Sequence, residues 1–421
     1  MKIFSAKQLY EADSVTVKKQ HITSTELMER AGNQVFKWIQ SQFEATKHTI
    51  YIFCGAGNNG GDGLVIGRYL LQHHYHVKLY KVCFRDRSSD DFSINSERLA
   101  GFDVTLSMLM PTSSFPDIAP GAVVIDAIFG IGLSRPPANW VVALIQHINR
   151  AKAYVIAIDI PSGSYMHAIP EDKTAVVHAA VTLTFQVPKL VFFLPQTGKY
   201  VGKWEVLDIG LDQEYLDKTP TEAQLLSKST LLKWYRRRER FSHKGTYGHG
   251  LIIGGSYGKI GAVILAAKSC ITSGAGLVTA YVPKCGYTIL QTALPEIMVI
   301  TDRETAYISA IDFDIHPKVI GIGVGLGTHD KTQHAFIAFL KQNAIPLVID
   351  ADGLNILAQH KAALEYLPVN TILTPHPKEL ERLIGTWKDD FDKLEKVKDF
   401  TKKYDVIVVI KGAYTIIVDK D

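Results

Sequence analysis

Cysteine is scarce in this sequence: Cys54, Cys83, Cys270 and Cys285 are the four in 421 residues, with no CxxC pair among them. That excludes a disulfide framework and a cysteine-based zinc site, and a reducing, cytoplasmic setting is expected. There is no run of roughly eighteen uncharged apolar residues, the least that crosses a bilayer as a helix. Met1 to Gln8 is broken by charge too early to form the apolar region of a signal peptide. A soluble protein is expected. One-sided charge is missing too: 46 Lys and Arg against 42 Asp and Glu leave +4, so no overall field argues for nucleic acid or a membrane surface. The one dense basic run, Arg236-Arg237-Arg238-Glu239-Arg240, reads as the solvated end of a connecting helix. His73, His74 and His76 lack spaced partner ligands and read as a solvated turn. Repeats and low-complexity tracts are absent.

What is present is an alternation. Hydrophobic residues make up 47% of the chain, and its length fits two domains. Apolar runs of strand length at Ile50–Cys54, Val77–Val82, Ala122–Ile125, Tyr154–Ile158 and Val181–Phe185 are separated by helical stretches. A second set follows at Leu251–Ile253, Leu277–Val282, Val319–Ile322, Leu347–Ile349, Thr371–Leu373 and Val406–Ile410. This pattern predicts two α/β domains, each a mostly parallel sheet with helices on both faces. Between them Asp208–Thr230 is polar, contains Pro220 and offers helix caps rather than strands. We expect domains over 1–213 and 228–421, with 214–227 as linker. In open α/β sheets ligands bind at the carboxyl ends of strands.

The first such end carries Gly55-Ala56-Gly57-Asn58-Asn59-Gly60-Gly61-Asp62-Gly63. Gly55-x-Gly57-x-x-Gly60 after a strand and before an amphipathic stretch is the setting of a dinucleotide fingerprint. The adjacent glycines let backbone amides approach an anion, and Asn and Asp supply polar atoms beside it. Asp126 and Asp159 each end an apolar strand, where a carboxylate is costly unless paired, hydrated or bound. One can hold a hard cation with oxygens from Asn59 and Ser162, and the other can move protons. Helix capping by each Asp stays open as the structural alternative. Lys189 is a further charge near a strand end, as readily a solvated surface lysine as a site residue.

Asn58 to Val65, Asp126 with Gly130-Ile131-Gly132-Leu133-Ser134-Arg135-Pro136, and Ala157-Ile158-Asp159-Ile160-Pro161-Ser162-Gly163 resemble the epimerase domain of bifunctional NAD(P)H-hydrate repair enzymes. The resemblance spans 1 to about 213. It implies a Rossmann-like three-layer fold and interconversion of the R and S forms of NADHX and NADPHX, the hydrated nicotinamide cofactors. It implies substrate contacts from Asn58, Asn59, Gly60, Gly61 and Asp62, and from Gly130, Ile131, Gly132, Leu133, Ser134, Arg135 and Pro136. Potassium would bind Asn59, Asp126 and Ser162, while Asp159 would contact substrate and transfer the proton. The segment Gly163 to Ala168 lacks the Thr-Gly or Asp-Gly continuation common in relatives.

The second half has no Walker A motif, since Gly258-Lys259-Ile260 lacks the hydroxyl residue and the upstream spacing. Its strand ends offer Gly254-Gly255-Ser256, Gly321 to Thr328 and Asp350-Ala351-Asp352-Gly353 instead, amides and carboxylates that suit a magnesium–nucleotide. With Thr374-Pro375-His376-Pro377-Lys378-Glu379 and Lys411-Gly412, they resemble the ribokinase-like dehydratase domain of the same repair enzymes. That resemblance implies ADP- or ATP-driven removal of water from the S hydrate, with Mg2+. It implies hydrate contacts from Ala262, Gly325 and His376, and adenine-nucleotide contacts from Lys411, Gly412, Ala413, Tyr414 and Thr415. Family members continue past the strand Tyr414–Val418 into a glycine-rich anion hole and a catalytic aspartate, whereas this sequence stops at Asp419-Lys420-Asp421. A C-terminally incomplete dehydratase domain, with its dehydration in doubt, is therefore expected. A homo-oligomer acting on small molecules, with no nucleic-acid or membrane partner, is the accompanying expectation. The competing readings are a nucleotide-binding scaffold protein and a ribokinase-like small-molecule kinase.

Overall fold

A computed structural model describes residues 1–420; Asp421 lies outside the described residues. The chain divides into two compact units, Met1–Tyr235 and Arg236–Asp421.

In the first unit, strands β2 (Thr49–Cys54), β3 (His76–Val82), β4 (Leu106–Leu109), β5 (Val123–Ala127), β6 (Tyr154–Ile158), β7 (Val181–Phe185) and β8 (Lys203–Leu207) form one parallel sheet. Its order is β4-β3-β2-β5-β6-β7-β8. The order reverses between β2 and β5, which makes the carboxyl ends of those two strands the crevice of a doubly wound fold. Strand β2 shows why both faces are covered: Ile50, Ile52 and Cys54 join one core cluster, Tyr51 and Phe53 the other. Helices α1 (Ala6–Gln20), α2 (Ser24–Gln42), α3 (Asn58–Gln72), α4 (Asp90–Glu97) and α5 (Asn139–Arg150) belong to this unit. Ser5 with Gln8 and Thr23 with Glu26 close reciprocal capping boxes on α1 and α2. Gly57, the N-cap of α3, has no side chain to accept from the first turn, so the first-turn amides of α3 are left for a ligand.

The segment expected to link the halves has structure of its own. A helix covers Gln213–Lys218, and the strand β9 (Ala223–Gln224) pairs antiparallel with β1 (Lys2–Ile3), placing a strand where only caps were expected. The amino terminus donates to Leu225 O at 2.7 Å. The segment therefore packs with the first unit. The next helix, Lys228–Trp234, ends before the arginine run, so that run lies beyond the helix rather than at its solvated end.

In the second unit β10 (His249–Ile253), β11 (Leu277–Val282), β12 (Met298–Thr301), β13 (Val319–Ile322), β14 (Leu347–Ile349), β15 (Thr371–Leu373), β16 (Val406–Ile410) and β17 (Ile416–Val418) repeat the plan. The order is β12-β11-β10-β13-β14-β15-β16-β17, parallel except for β17. Its reversal lies between β10 and β13, at Gly254–Ser256 and Gly323–Gly327. Both units are mixed α/β with parallel sheets, Rossmann-like in the first.

Ile52 is fully buried between β2 and its covering helices. Ile52→Ala is expected to cost about 2–5 kcal/mol, read as a lower urea midpoint for the first unit's transition at unchanged slope.

Candidate functional site

The glycine turn closes on itself through backbone rather than side chains. A Cβ on Gly60 would stand 1.7 Å from Gly55 O, and one on Gly55 1.8 Å from Ile128 O. Part of the glycine content expected to admit an anion is thus required by the crossing of the β2 and β5 loops. The same closeness brings Gly130 beside Asn59, whose Cβ lies 3.2 Å from a Cβ built on that glycine. Residues Gly132, Ser134, Arg135 and Pro136 are exposed around this rim.

Asp126 ends β5 fully buried, where Ser162 N–H at 2.8 Å, Ser162 Oγ at 2.5 Å and Ile128 N–H at 3.3 Å donate to it. Burial raises its carboxyl to about pKa 6 against the lowering pull of those hydrogen bonds. Ser162 Oγ accepts from Phe129 N–H at 2.8 Å and lies 3.3 Å from Phe129 O. Asn59 Nδ2 is buried with no hydrogen-bond partner. Exchanging the two ends of that amide would turn an oxygen to the orphaned position, as a cation requires. Asp126 and Ser162 are in direct contact, and Asn59 adjoins Gly130 in the same loop region. The oxygens of Asp126 and Ser162 cluster together with Phe129 O, a donor type that suits a hard cation and not zinc.

Asp159 stands one residue past β6 at φ +65°, a left-handed conformation uncommon for a residue with a Cβ. Its Oδ1 accepts from the Lys189 ammonium, from Phe185 N–H at 3.0 Å and from Thr184 Oγ1 at 3.2 Å. These bonds all fall on Oδ1, so Oδ2 remains open to a ligand. Lys189 is 1% exposed and also donates to Thr184 Oγ1 at 2.5 Å. The reading of Lys189 as a solvated surface lysine is therefore overturned. Gly163, at φ +90°, carries the chain away with Val177 N–H donating to Ser162 O at 2.9 Å.

Helix α1 contributes what the sequence did not reveal. Leu9, Ala12 and Thr16 are its buried stripe, and Asp13 on the same side faces Asp159 and Lys189. Burial raises Asp13 to about pKa 7, helped by the charge of Asp159 and opposed by Lys189. Tyr10 is held above its ordinary value by burial and then by Asp159, and its hydroxyl is 2.5 Å from where a Cβ of Gly132 would stand. Asp62 is pushed well above the carboxylate range by burial first, then by Asp159 and Asp13. The site thus sets the Asp159–Lys189 pair among carboxyls biased toward their protonated forms.

In the second unit two clusters line the strand ends. Gly325, at φ +60°, would place a Cβ 3.1 Å from Ala262 Cβ, so those two expected hydrate contacts adjoin. Nearby, Asp352 accepts from Gly327 N–H at 2.8 Å and pairs with Lys259 at 3.3 Å. His376 belongs to the other cluster. Its Nδ1 caps the helix Pro377–Ile384, and Glu379 answers with a carboxylate on His376 N–H at 2.9 Å. There Lys411 pairs with Asp350 at 2.7 Å, and Gly412 to Thr415 are exposed between β16 and β17.

A family model described as YjeF-related protein N-terminus matches residues 24–191, and one described as NAD(P)H-hydrate dehydratase matches 250–421. The bifunctional NAD(P)H-hydrate repair enzyme of Moorella thermoacetica is 34% identical over 99% of this chain and 82% of its own length. That of Coxiella burnetii is 33% identical over 99% and 83%. That of Escherichia coli is 30% identical over 94% and 74%.

The raised pKa of Asp13 gives a pH test of this geometry. Its ionisation is harder in the folded chain, so the associated stability is whole below about pH 4 and is lost as pH rises toward 7. Asp13→Asn removes that loss. The variant's melting temperature is expected to exceed the parent's clearly at pH 8 and by much less at pH 5, by scanning calorimetry.

Proposed function

Since the chain belongs to the bifunctional NAD(P)H-hydrate repair enzymes, its function is repair of hydrated nicotinamide cofactors, and we propose that the crevice of the first unit is the epimerase site. The observation that carries this reading is Asp159: one carboxylate oxygen held by Lys189, Thr184 and Phe185, the other open. Interconverting R and S hydrates requires breaking and remaking a bond at the carbon that bears the hydroxyl. A proton must be taken up and returned at each stage. Asp159 is the group we assign to that transfer, and Lys189 holds it in one orientation. The amides of Asn58 to Asp62 and the rim from Gly130 to Pro136 are assigned to the dinucleotide. Potassium is assigned to Asn59, Asp126 and Ser162, where it would neutralise the buried carboxylate and fix the two loops.

For the second unit we assign ADP or ATP with Mg2+ to Lys411, Gly412, Ala413, Tyr414 and Thr415, and the S hydrate to Ala262, Gly325 and His376. The amides of Val324 and Gly325, which make no hydrogen bond within the turn, support a phosphate beside them. Domain limits of 1–213 and 228–421, and a cytoplasmic homo-oligomer, belong to the same proposal.

Asp159→Ala would leave the Lys189 ammonium buried and unpaired, which is strongly destabilising. Asp159→Asn also removes the countercharge but keeps the shape and an amide oxygen that can accept from Lys189, and Asn tolerates a positive φ. Asp159→Asn is expected to lower the rate of epimerisation at least ~100-fold, followed by chromatographic separation of the two hydrates with potassium present. An unimpaired variant, or a parent that does not interconvert the hydrates, sinks the assignment.

A further inference from the structure

Arg85 has no role in the site as described so far, yet it sits against the glycine turn. It lies three residues past the end of β3, the strand next to β2 on the side away from β5. Its guanidinium donates to Ala56 O at 2.6 Å, and the same carbonyl accepts Ser89 N–H at 2.9 Å. A Cβ on Gly57 would stand 3.1 Å from the terminal nitrogen of Arg85. The loop 83–89 is thereby folded onto the turn, with Arg85 at its inner edge. Phe84 lies 5.8 Å from the guanidinium carbon to its ring centroid and packs in turn against Phe129 at 4.7 Å, the rings tilted by 48°.

Two features of this arginine point to an anion. Among the described residues no carboxylate lies within ion-pair distance of it, although Asp86 and Asp90 are close in sequence. The other nearby acid, Asp91, is engaged by Ser24 at 3.0 Å and by Thr25 at 2.5 Å. No carboxylate of the described residues pairs with Arg85, which like Arg87 is exposed to solvent, and only one arm of its fork is used. The second feature is its place in the topology. In a doubly wound sheet a dinucleotide lies across the reversal point, one mononucleotide over each half. Asp159, at the end of β6, claims the hydrated ring for the β5–β6 side. The adenosine then lies over β2 and β3, with its ribose at the end of β3. An acid at that strand end accepts the ribose 2′-hydroxyl, whereas an arginine there meets a 2′-phosphate. Val82, Cys83 and Phe84 supply no acid, and Arg85 follows.

We propose that Arg85 is the contact for the adenosine 2′-phosphate in the first unit and makes the phosphorylated hydrate, NADPHX, the preferred substrate over NADHX. A phosphate dianion takes the unused arm of the fork while the other arm stays on Ala56 O. The inference rests on the epimerase reading of this crevice, because it needs the hydrated ring on the β6 side. Arg87, exposed in the same loop, adds charge without a defined contact.

The test uses the full chain and two readouts. Epimerisation of NADPHX and of NADHX is measured for the parent, Arg85→Ala and Arg85→Lys, and NADP+ and NAD+ are titrated calorimetrically into each. Arg85→Ala is expected to raise KM for NADPHX and the dissociation constant for NADP+ about tenfold, the scale of one charged hydrogen bond. The corresponding values for NADHX and NAD+ should shift by less than about threefold, and Arg85→Lys should recover part of the loss. Equal losses for both substrates would reduce Arg85 to a brace for Ala56 and overturn the proposal. Unchanged NADP+ affinity would overturn it as well. A parent inactive on both hydrates would end the epimerase reading, and the NADP+ and NAD+ titrations would still decide the role of Arg85.

Discussion

The first unit depends on one ion pair out of water. Lys189 and Asp159 come from the ends of adjacent strands β7 and β6, and their side chains are 1% and 12% exposed. Desolvating two charges costs several kcal/mol per ion, offset only when geometry is good and the remaining protons find partners. Here they do: the ammonium reaches Thr184 Oγ1, and also approaches the carbonyls of Val187 at 3.3 Å and Phe185 at 3.4 Å. Three consequences share this cause. Asp159 tolerates a left-handed backbone because its carboxylate is fixed from three directions. The neighbouring carboxyls of Asp13 and Asp62, whose ionisation is opposed first by burial, are opposed further by the charge of Asp159. The second oxygen of Asp159 is left without a hydrogen bond in the protein while the first is held.

The second unit uses the same chemistry at lower stakes. Lys411 and Asp350 also bridge two strand ends, but their side chains are 42% and 31% exposed; Lys259 and Asp352 are 55% and 19%. Exposed pairs of this kind contribute about 0–1 kcal/mol. Either lysine can leave its carboxylate for a phosphate at little cost, and the carboxylate is then available to a cation. The burial difference thus separates a fixed pair in the first unit from yielding ones in the second, although the two sheets share an order of strands.

The interior of both sheets was legible because a strand buried on both faces must be an apolar run. Tyr154–Ile158, Val181–Phe185, Val319–Ile322 and Val406–Ile410 occur at the residues expected. Among the strands that went unread, β4, β8 and β12 are at sheet edges, where Met108 in β4 and Lys203 and Glu205 in β8 are exposed. Asn59, Asp126 and Ser162 were legible as oxygens at strand ends. Lys189 was not, since a lone lysine after a strand is usually solvated. Thr182 and Thr184 were the available signal: two hydroxyls on one face of an otherwise apolar strand require a buried polar partner. Asp13 was hidden by a helix whose composition is largely polar, and only its spacing from Leu9, Ala12 and Thr16 puts it on the inward side.

The glycine turn shows how far a motif can be read without coordinates. A fingerprint of this kind ordinarily marks a redox cofactor held so that its ring can pass a hydride to something else. In this crevice the carbonyls of Gly55 and Ile128 fill the space that side chains at positions 60 and 55 would take, so part of the motif serves loop crossing. What remains for a ligand is the uncapped start of α3. On one side of it lies the oxygen cluster around Asp126, and beyond that the fixed Asp159. With proton transfer assigned to Asp159 as proposed, the dinucleotide is itself the reactant, and its ring, rather than its phosphates, comes under the control of the buried pair.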